Sequence, residues 1–249
     1  MSKKLDGKIA IVTGGSTGIG LGSAKELVAQ GAYVYITGRR QAALDDAVRE
    51  IGSNVTAIRA DSSKLADLDA VYEQIKKEKG RVDIIFANAG GGEFVPLGAI
   101  TEEHYDNTFN NNVKGLVFTV QKALPLMPDG GAIILNASVV SIKGLPAFSV
   151  YSATKAAVRS FARSWTTDLK DRKIRVNAVS PGVIDTPGLS GLVPPDQKDG
   201  LYTQLASFVP LGRLGHVGEI AKTVAFLASE DASFIAGADI FVDGGQGQV

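Results

Sequence analysis

The chain has 249 residues, enough for one large α/β domain with an ample core, and its 26 Lys and Arg balance 26 Asp and Glu exactly to zero formal charge. That balance gives no global electrostatic case for nucleic acid or an anionic membrane, and the absence of cysteine excludes disulfides, thiolate metal sites and thiol catalysis. With only His104 and His216, a His-based metal site is not expected.

The opening MSKKLDGKIAIVTGG lacks the apolar stretch of a signal peptide, and no uninterrupted apolar run approaches a membrane span. The expectation is a soluble cytoplasmic protein. From there, short β-rich runs alternate with amphipathic segments of helical length. KIAIVTG (8–14) reads as a buried strand and GIGLGSAKELVAQG (18–31) as a helix closing on glycine. YVYITG (33–38) is a second strand, followed by a helix over 41–51. NVTAIRAD (54–61) is strand-like and LADLDAVYEQIKKEKG (65–80) helical. VDIIFANAG (82–90) is a fourth strand ending in a tight turn; two helices precede AIILNAS (132–138), the fifth. A long helix spans 149–170, IRVNAVSPG (174–182) is a sixth strand, and ADIFVDGG (238–245) a short last one. The proline-rich stretch 183–212 reads as one irregular insertion, a substrate lid. Such alternation predicts a single α/β domain over 1–249, a Rossmann-like doubly wound parallel sheet with helices on both faces. Ligands in such sheets sit at the carboxyl ends of the strands.

TGGSTGIG (13–20) falls at one of those ends, after the first strand and at the start of the first helix. Gly14 allows a tight turn, Gly18 close backbone approach to a pyrophosphate, and Gly20 packing of helix on strand. The helix N–H groups and dipole then meet the anion. Farther on, YSATK (151–155) puts Tyr151 and Lys155 on one helical face. A cation beside a phenol favours the phenolate and lowers its pKa, making a general acid/base usable near neutrality.

TGxxxGxG, then NAG at 88–90, then YxxxK at 151–155, in that order and along essentially the whole chain, resemble the short-chain dehydrogenase/reductase family. The resemblance implies hydride transfer between a nicotinamide and a ketone or secondary alcohol, without metal. It makes Ser138, thirteen residues before Tyr151, the second hydrogen-bond donor to the substrate oxygen, and Asn112, in NNVKG, the holder of a relay water. Tyr151 is then the acid/base and Lys155 both tunes it and binds the nicotinamide ribose. Cofactor contacts are implied for Gly14, Ser16, Thr17, Gly18, Ile19 and Gly20 of the glycine loop, and for Asp61 and Ser62 at the adenine. Asn88, Ala89 and Gly90 are implied to line the adenosine ribose, and Pro181, Gly182, Val183 and Thr186 to hold the carboxamide. Ala87 departs from a second Asn usual before NAG, and its effect is expected on packing.

Where NAD-using relatives carry an acid at the end of the second strand, this chain has Gly38 followed by Arg39 and Arg40. That predicts NADP(H) preference, with NAD(H) possible. Thr17 stands where many NADP users have a further basic residue. The loops 91–98, 139–150 and 183–212 carry many apolar residues, which favours an apolar pocket for a medium-sized ketone or secondary alcohol, and so a carbonyl reductase. A 3-oxoacyl-[acyl-carrier-protein] reductase, a sugar (glucose 1-) dehydrogenase and a non-catalytic nucleotide sensor remain alternatives. The small face Ala153, Ala156, Ala157 and Ser160 and the apolar 234–245 segment predict a homotetramer.

Overall fold

The computed structural model describes residues 3–249. Six strands and their crossovers come first: β1 (Ile9–Thr13), α1 (Gly18–Ala29), β2 (Tyr33–Gly38), α2 (Gln41–Ile51), β3 (Val55–Arg59), α3 (Leu65–Lys79), β4 (Ile84–Ala87), α4 (Glu102–Phe109), α5 (Gly115–Ala123), β5 (Ala132–Asn136), α6 (Ser149–Asp168) and β6 (Arg175–Pro181). Then come β7 (Ile184–Asp185), α7 (Pro187–Ser190), α8 (Lys198–Ala206), β8 (Gly215–His216), α9 (Val217–Ala228) and β9 (Asp239–Val242). Seven strands form one sheet in the order β3-β2-β1-β4-β5-β6-β9, and every pairing in it is parallel. The direction of winding reverses between β1 and β4, so the crevice for a ligand opens at their carboxyl ends.

The strands are apolar at successive positions because both faces are covered. Ala10 and Val12 of β1 join one core with Ala24 and Leu27 of α1 and Ile220 and Val224 of α9. Ile9 and Ile11, pointing the other way, join a second with Val71 and Ile75 of α3, Val120 of α5 and Val158 of α6. Ala87 is buried in β4 opposite Leu135, so a small side chain suits the packing there.

Two features differ from the sequence reading. The stretch 183–212 is not irregular throughout. It contains α7 and the nine-residue α8, and β7 pairs with β8 beyond it. Pro187 and Pro195 occupy first-turn positions, where a missing N–H costs nothing, and so start short helices instead of breaking them. Between α4 and α5 the backbone passes through a π-turn at Asn110–Lys114. Among the described residues, no helix is long and apolar enough to cross a membrane.

Candidate active site

The glycine loop leaves β1 with Gly14 at φ +64° and enters α1 with Gly18 at φ +54°, both in the left-handed region. A Cβ at Gly20 would lie 2.2 Å from the Gly14 carbonyl oxygen, so only glycine lets α1 start this close to the strand. The N-terminus of α1 has no side-chain cap and no acid in its first turn. Its N–H groups are therefore free to meet an anion.

That loop forms one wall of a groove of about 1060 Å³. Ser16, Thr17, Ile19, Arg39 and Arg40 line it on the β1–β2 side, Asp61 and Ser62 past β3, and Asn88, Ala89 and Gly90 past β4. Tyr151 and Thr186 face it from the other side. The gap is narrow at the loop: a Cβ on Gly18 would be 3.5 Å from Thr186 Cγ2. Pro181, Gly182 and Val183 do not line the groove. Gly182 instead abuts Asp243, where a Cβ would meet the Asp243 Cα at 2.7 Å.

A polar network that the sequence reading did not anticipate fixes the crevice. The Thr13 hydroxyl accepts from the N–H groups of Asn88 and Ala89, each at 3.0 Å, and Asn88 Nδ2 donates to the Thr13 carbonyl at 2.9 Å. Asn136 Nδ2 donates to Asn88 Oδ1 at 2.9 Å, so β1, β4 and β5 are tied together at their carboxyl ends. The one sequence signal was a polar residue closing an otherwise apolar strand, Thr13 after IAIV.

Behind the groove stand the other predicted residues. Lys155 is 3% exposed and donates from Nζ to the Asn136 carbonyl at 2.6 Å. Its ammonium is 5.4 Å from the Tyr151 ring centroid. Ser138, two residues past Asn136, stands beside the Tyr151 phenol and favours its ionised form. Of three consecutive asparagines, burial singles out Asn112, at 1% exposure within the π-turn. Its Oδ1 accepts from Gly91 N at 3.0 Å, while Nδ2 donates to the Gly91 carbonyl at 2.9 Å and to Thr154 Oγ1 at 3.0 Å. Asn112 thus holds the loop after β4 against α6.

The electrostatics depart from the sequence expectation. Burial pushes the Tyr151 phenol up to about 12, and the neighbouring Ser138 hydroxyl opposes that shift without reversing it. Lys155 does not bring the phenol down, because desolvation of the phenolate outweighs the distant ammonium. Burial also lowers Lys155 itself, to about 8.

A family model described as Enoyl-(Acyl carrier protein) reductase matches residues 14–246. The oxidoreductase asL5 of Sarocladium schorii is 45% identical, with 99% of this chain and 98% of that one covered. The chain belongs to the short-chain dehydrogenase/reductase family. It is an oxidoreductase of the nucleotide-binding, Rossmann-like kind. Among solved structures, a blue fluorescent protein from a metagenomic library in complex with NADPH superposes with TM-score 0.89 at 36% identity, covering 98% and 99% of the two chains. The 3-ketoacyl-(acyl-carrier-protein) reductase of Brucella melitensis complexed with NADH gives 0.90 at 32% identity, with the same coverage.

The burial of Lys155 makes a stability prediction. Its folded pKa lies below the unfolded value, so between about pH 8 and the unfolded value of 10.5 the unfolded chain binds more protons. Stability contributed by this group therefore rises with pH across that window. Lys155→Met removes the titration, so the Tm of the parent should gain on that of the variant as pH rises from 8 to 10.5. A Tm difference that is flat over this range, measured by calorimetry, would contradict the assigned burial cost.

Proposed function

We propose that this dehydrogenase/reductase is an NADP(H)-preferring carbonyl reductase, reducing a small apolar ketone or oxidising the matching secondary alcohol, with Tyr151 as general acid/base. The observation that carries this reading is that Tyr151, with Ser138 and Lys155 beside it, faces a groove bounded elsewhere by the uncapped start of α1. The glycine cradle fits a dinucleotide pyrophosphate, and the bound nicotinamide supplies or accepts the hydride. Ser138 and Tyr151 direct hydrogen-bond donors at the substrate oxygen, where negative charge develops. The phenol, proton-loaded at neutral pH, gives its proton to that oxygen on reduction. Lys155 keeps a positive charge beside the phenolate that forms, and Asn112 holds the flanking loop and the water-side of the relay.

The charges around the mouth favour a free small molecule over a carrier-bound acyl group. Lys143 turns its ammonium to the Gln246 carbonyl at 2.5 Å, and Lys198 lies 4.9 Å above the Tyr202 ring. Neither presents a basic patch to an acidic carrier, and Glu93 is exposed at the mouth. Phe94, Leu97, Leu145 and Leu192 are exposed on the surrounding loops, which suits an apolar ketone better than a sugar. Tyr151→Phe should lower kcat by well over 10²-fold while cofactor still binds, as read by fluorescence titration. Near-parental turnover would refute the role given to Tyr151.

Cofactor choice rests on the end of β2. Arg39 and Arg40 are exposed and line the groove, and among the described residues neither is ion-paired. The nearest acids are engaged elsewhere, Asp45 with Gln41 Nε2 at 2.8 Å and Asp46 with Arg49. Guanidinium can hold a 2′-phosphate in a bidentate fork, and Gly38 offers no carboxylate to repel it. The pair Gly38→Asp and Arg39→Ala should invert the preference toward NAD(H). Ratios of kcat/KM for NADPH and NADH decide this, and a clear advantage for NADH in the parent would overturn it.

We also propose a homotetramer. Ala153, Ala156 and Ser160 are exposed along α6, β9 is an edge strand, and Phe234 is fully exposed before it. Isologous pairing would cover these surfaces. Light scattering should give four times the chain mass, and a monomer at micromolar concentration would rule the assembly out.

A further inference from the structure

The phenol of Tyr151 sits only three residues into α6, in the first turn, where helix geometry alone leaves a side chain room to move. Something else must fix it. A Cβ built on Gly92 would lie 2.4 Å from Tyr151 Cδ2, 2.6 Å from Cγ and 2.9 Å from Cβ. Contacts between carbon atoms are normally about 3.5–4.0 Å. Tyr151 Cβ lies on the axis of χ1 rotation, so no change of rotamer would relieve its 2.9 Å overlap. The backbone of Gly92 is thus in direct contact with the root of the phenol ring.

The loop cannot easily yield. Asn112 clasps Gly91 through both its amide atoms, and Val95 N donates to the Ala147 carbonyl at 2.7 Å. Ala147 itself holds φ +58°, unusual for a residue with a side chain. The Phe148 ring also packs on Tyr151, centroids 4.5 Å apart, and Phe94 stacks on Phe148 at 4.3 Å. The phenol is therefore held by a pinned backbone and by a stack of two further rings.

We propose that Gly92, with Phe148 in support, is a positioning residue for proton transfer: the missing side chain at Gly92 is what lets the Tyr151 hydroxyl reach Ser138 and the substrate oxygen. The proposal rests on Tyr151 being the acid/base. Gly92 is not at a left-handed φ, so alanine is compatible with its backbone and the only obstacle is the phenol. Displacing the ring costs reach, and a misplacement on the order of 1 Å can cost about 10²-fold in rate. It would also move the phenol away from Ser138, whose hydroxyl favours the ionised form, and so raise the phenol pKa.

The test compares Gly92→Ala with Gly91→Ala, one residue away, where an added Cβ meets nothing within 4 Å. The expected result is a kcat for Gly92→Ala at least tenfold below that of Gly91→Ala, with the NADPH Kd of the two within about threefold. In alcohol oxidation, the rising limb of kcat against pH should also move to higher pH in Gly92→Ala. A merely structural lesion would not move that limb. Should Gly92→Ala fail to fold, Phe148→Leu gives the second reading: kcat falls and the limb shifts upward while the NADPH Kd holds. Equal kcat and unshifted limbs in enzyme whose Tyr151→Phe variant is inactive would overturn the positioning role alone. An active Tyr151→Phe variant would overturn the acid/base assignment beneath it.

Discussion

A buried ammonium is the constraint on which this site depends. Lys155 has lost nearly all its water and keeps one protein partner, the carbonyl of Asn136 at 2.6 Å. A charge held in such surroundings must be matched by hydrogen bonds, or it shifts its pKa and is lost. That single bond joins α6 to the end of β5. It fixes Lys155 on the helix, hence Tyr151 one turn earlier, and it fixes Asn136 on the strand, hence Ser138 two residues later. The three groups of the site converge because two elements are locked together at one point. The stability cost of the desolvated lysine is borne at a functional site, where such costs concentrate.

The same end of the sheet is organised by amides more than by charges. Parallel strands leave their last carbonyl and N–H groups unpaired where they diverge, and buried backbone groups need partners. Thr13 and Asn88 provide them at the ends of β4 and β1, and Asn136 ties the Asn88 side chain to β5. The crevice at the reversal of strand order is therefore held open by hydrogen bonds that also satisfy the strand ends. Asn112 continues this arrangement. Its place in a π-turn turns its amide inward, where it can clasp the loop after β4 and reach Thr154 on α6.

The fold was legible in the sequence because both faces of the sheet are covered, and so each strand is an apolar run bounded by turn residues. β1 as IAIVT and β4 as IIFA leave little room for another assignment. The helices within 183–212 were not legible. α8 has no buried residue and weak amphipathic character, and prolines that open helices look like prolines that break them. Among site residues, motif spacing located Ser138, Tyr151 and Lys155, whose proximity follows from one helix and one strand end. Pro181, Gly182 and Val183 were placed at the groove by resemblance, yet they are not in its lining, and Gly182 packs against Asp243. Gly92 was hidden for a different reason. Its importance lies in an atom it lacks, against a ring 59 residues away in sequence, and no local pattern records a long-range close approach.

The pKa values separate what the site's side chains do from what a bound coenzyme adds. With burial dominant, the phenol at about 12 retains its proton at neutral pH, and the ammonium at about 8 is mostly charged there. Protein groups alone therefore present a proton donor backed by a cation, the arrangement that the proposed ketone reduction would use. The reverse reaction needs a phenolate, which these groups disfavour. A positive charge brought near the ring would favour that phenolate, and an oxidised nicotinamide carries one while the reduced form does not. The acid/base state of Tyr151 would then follow the redox state of the coenzyme. On the proposed role of Tyr151, burial that raises the phenol would be part of the chemistry, keeping the proton in place until the charge that should release it arrives.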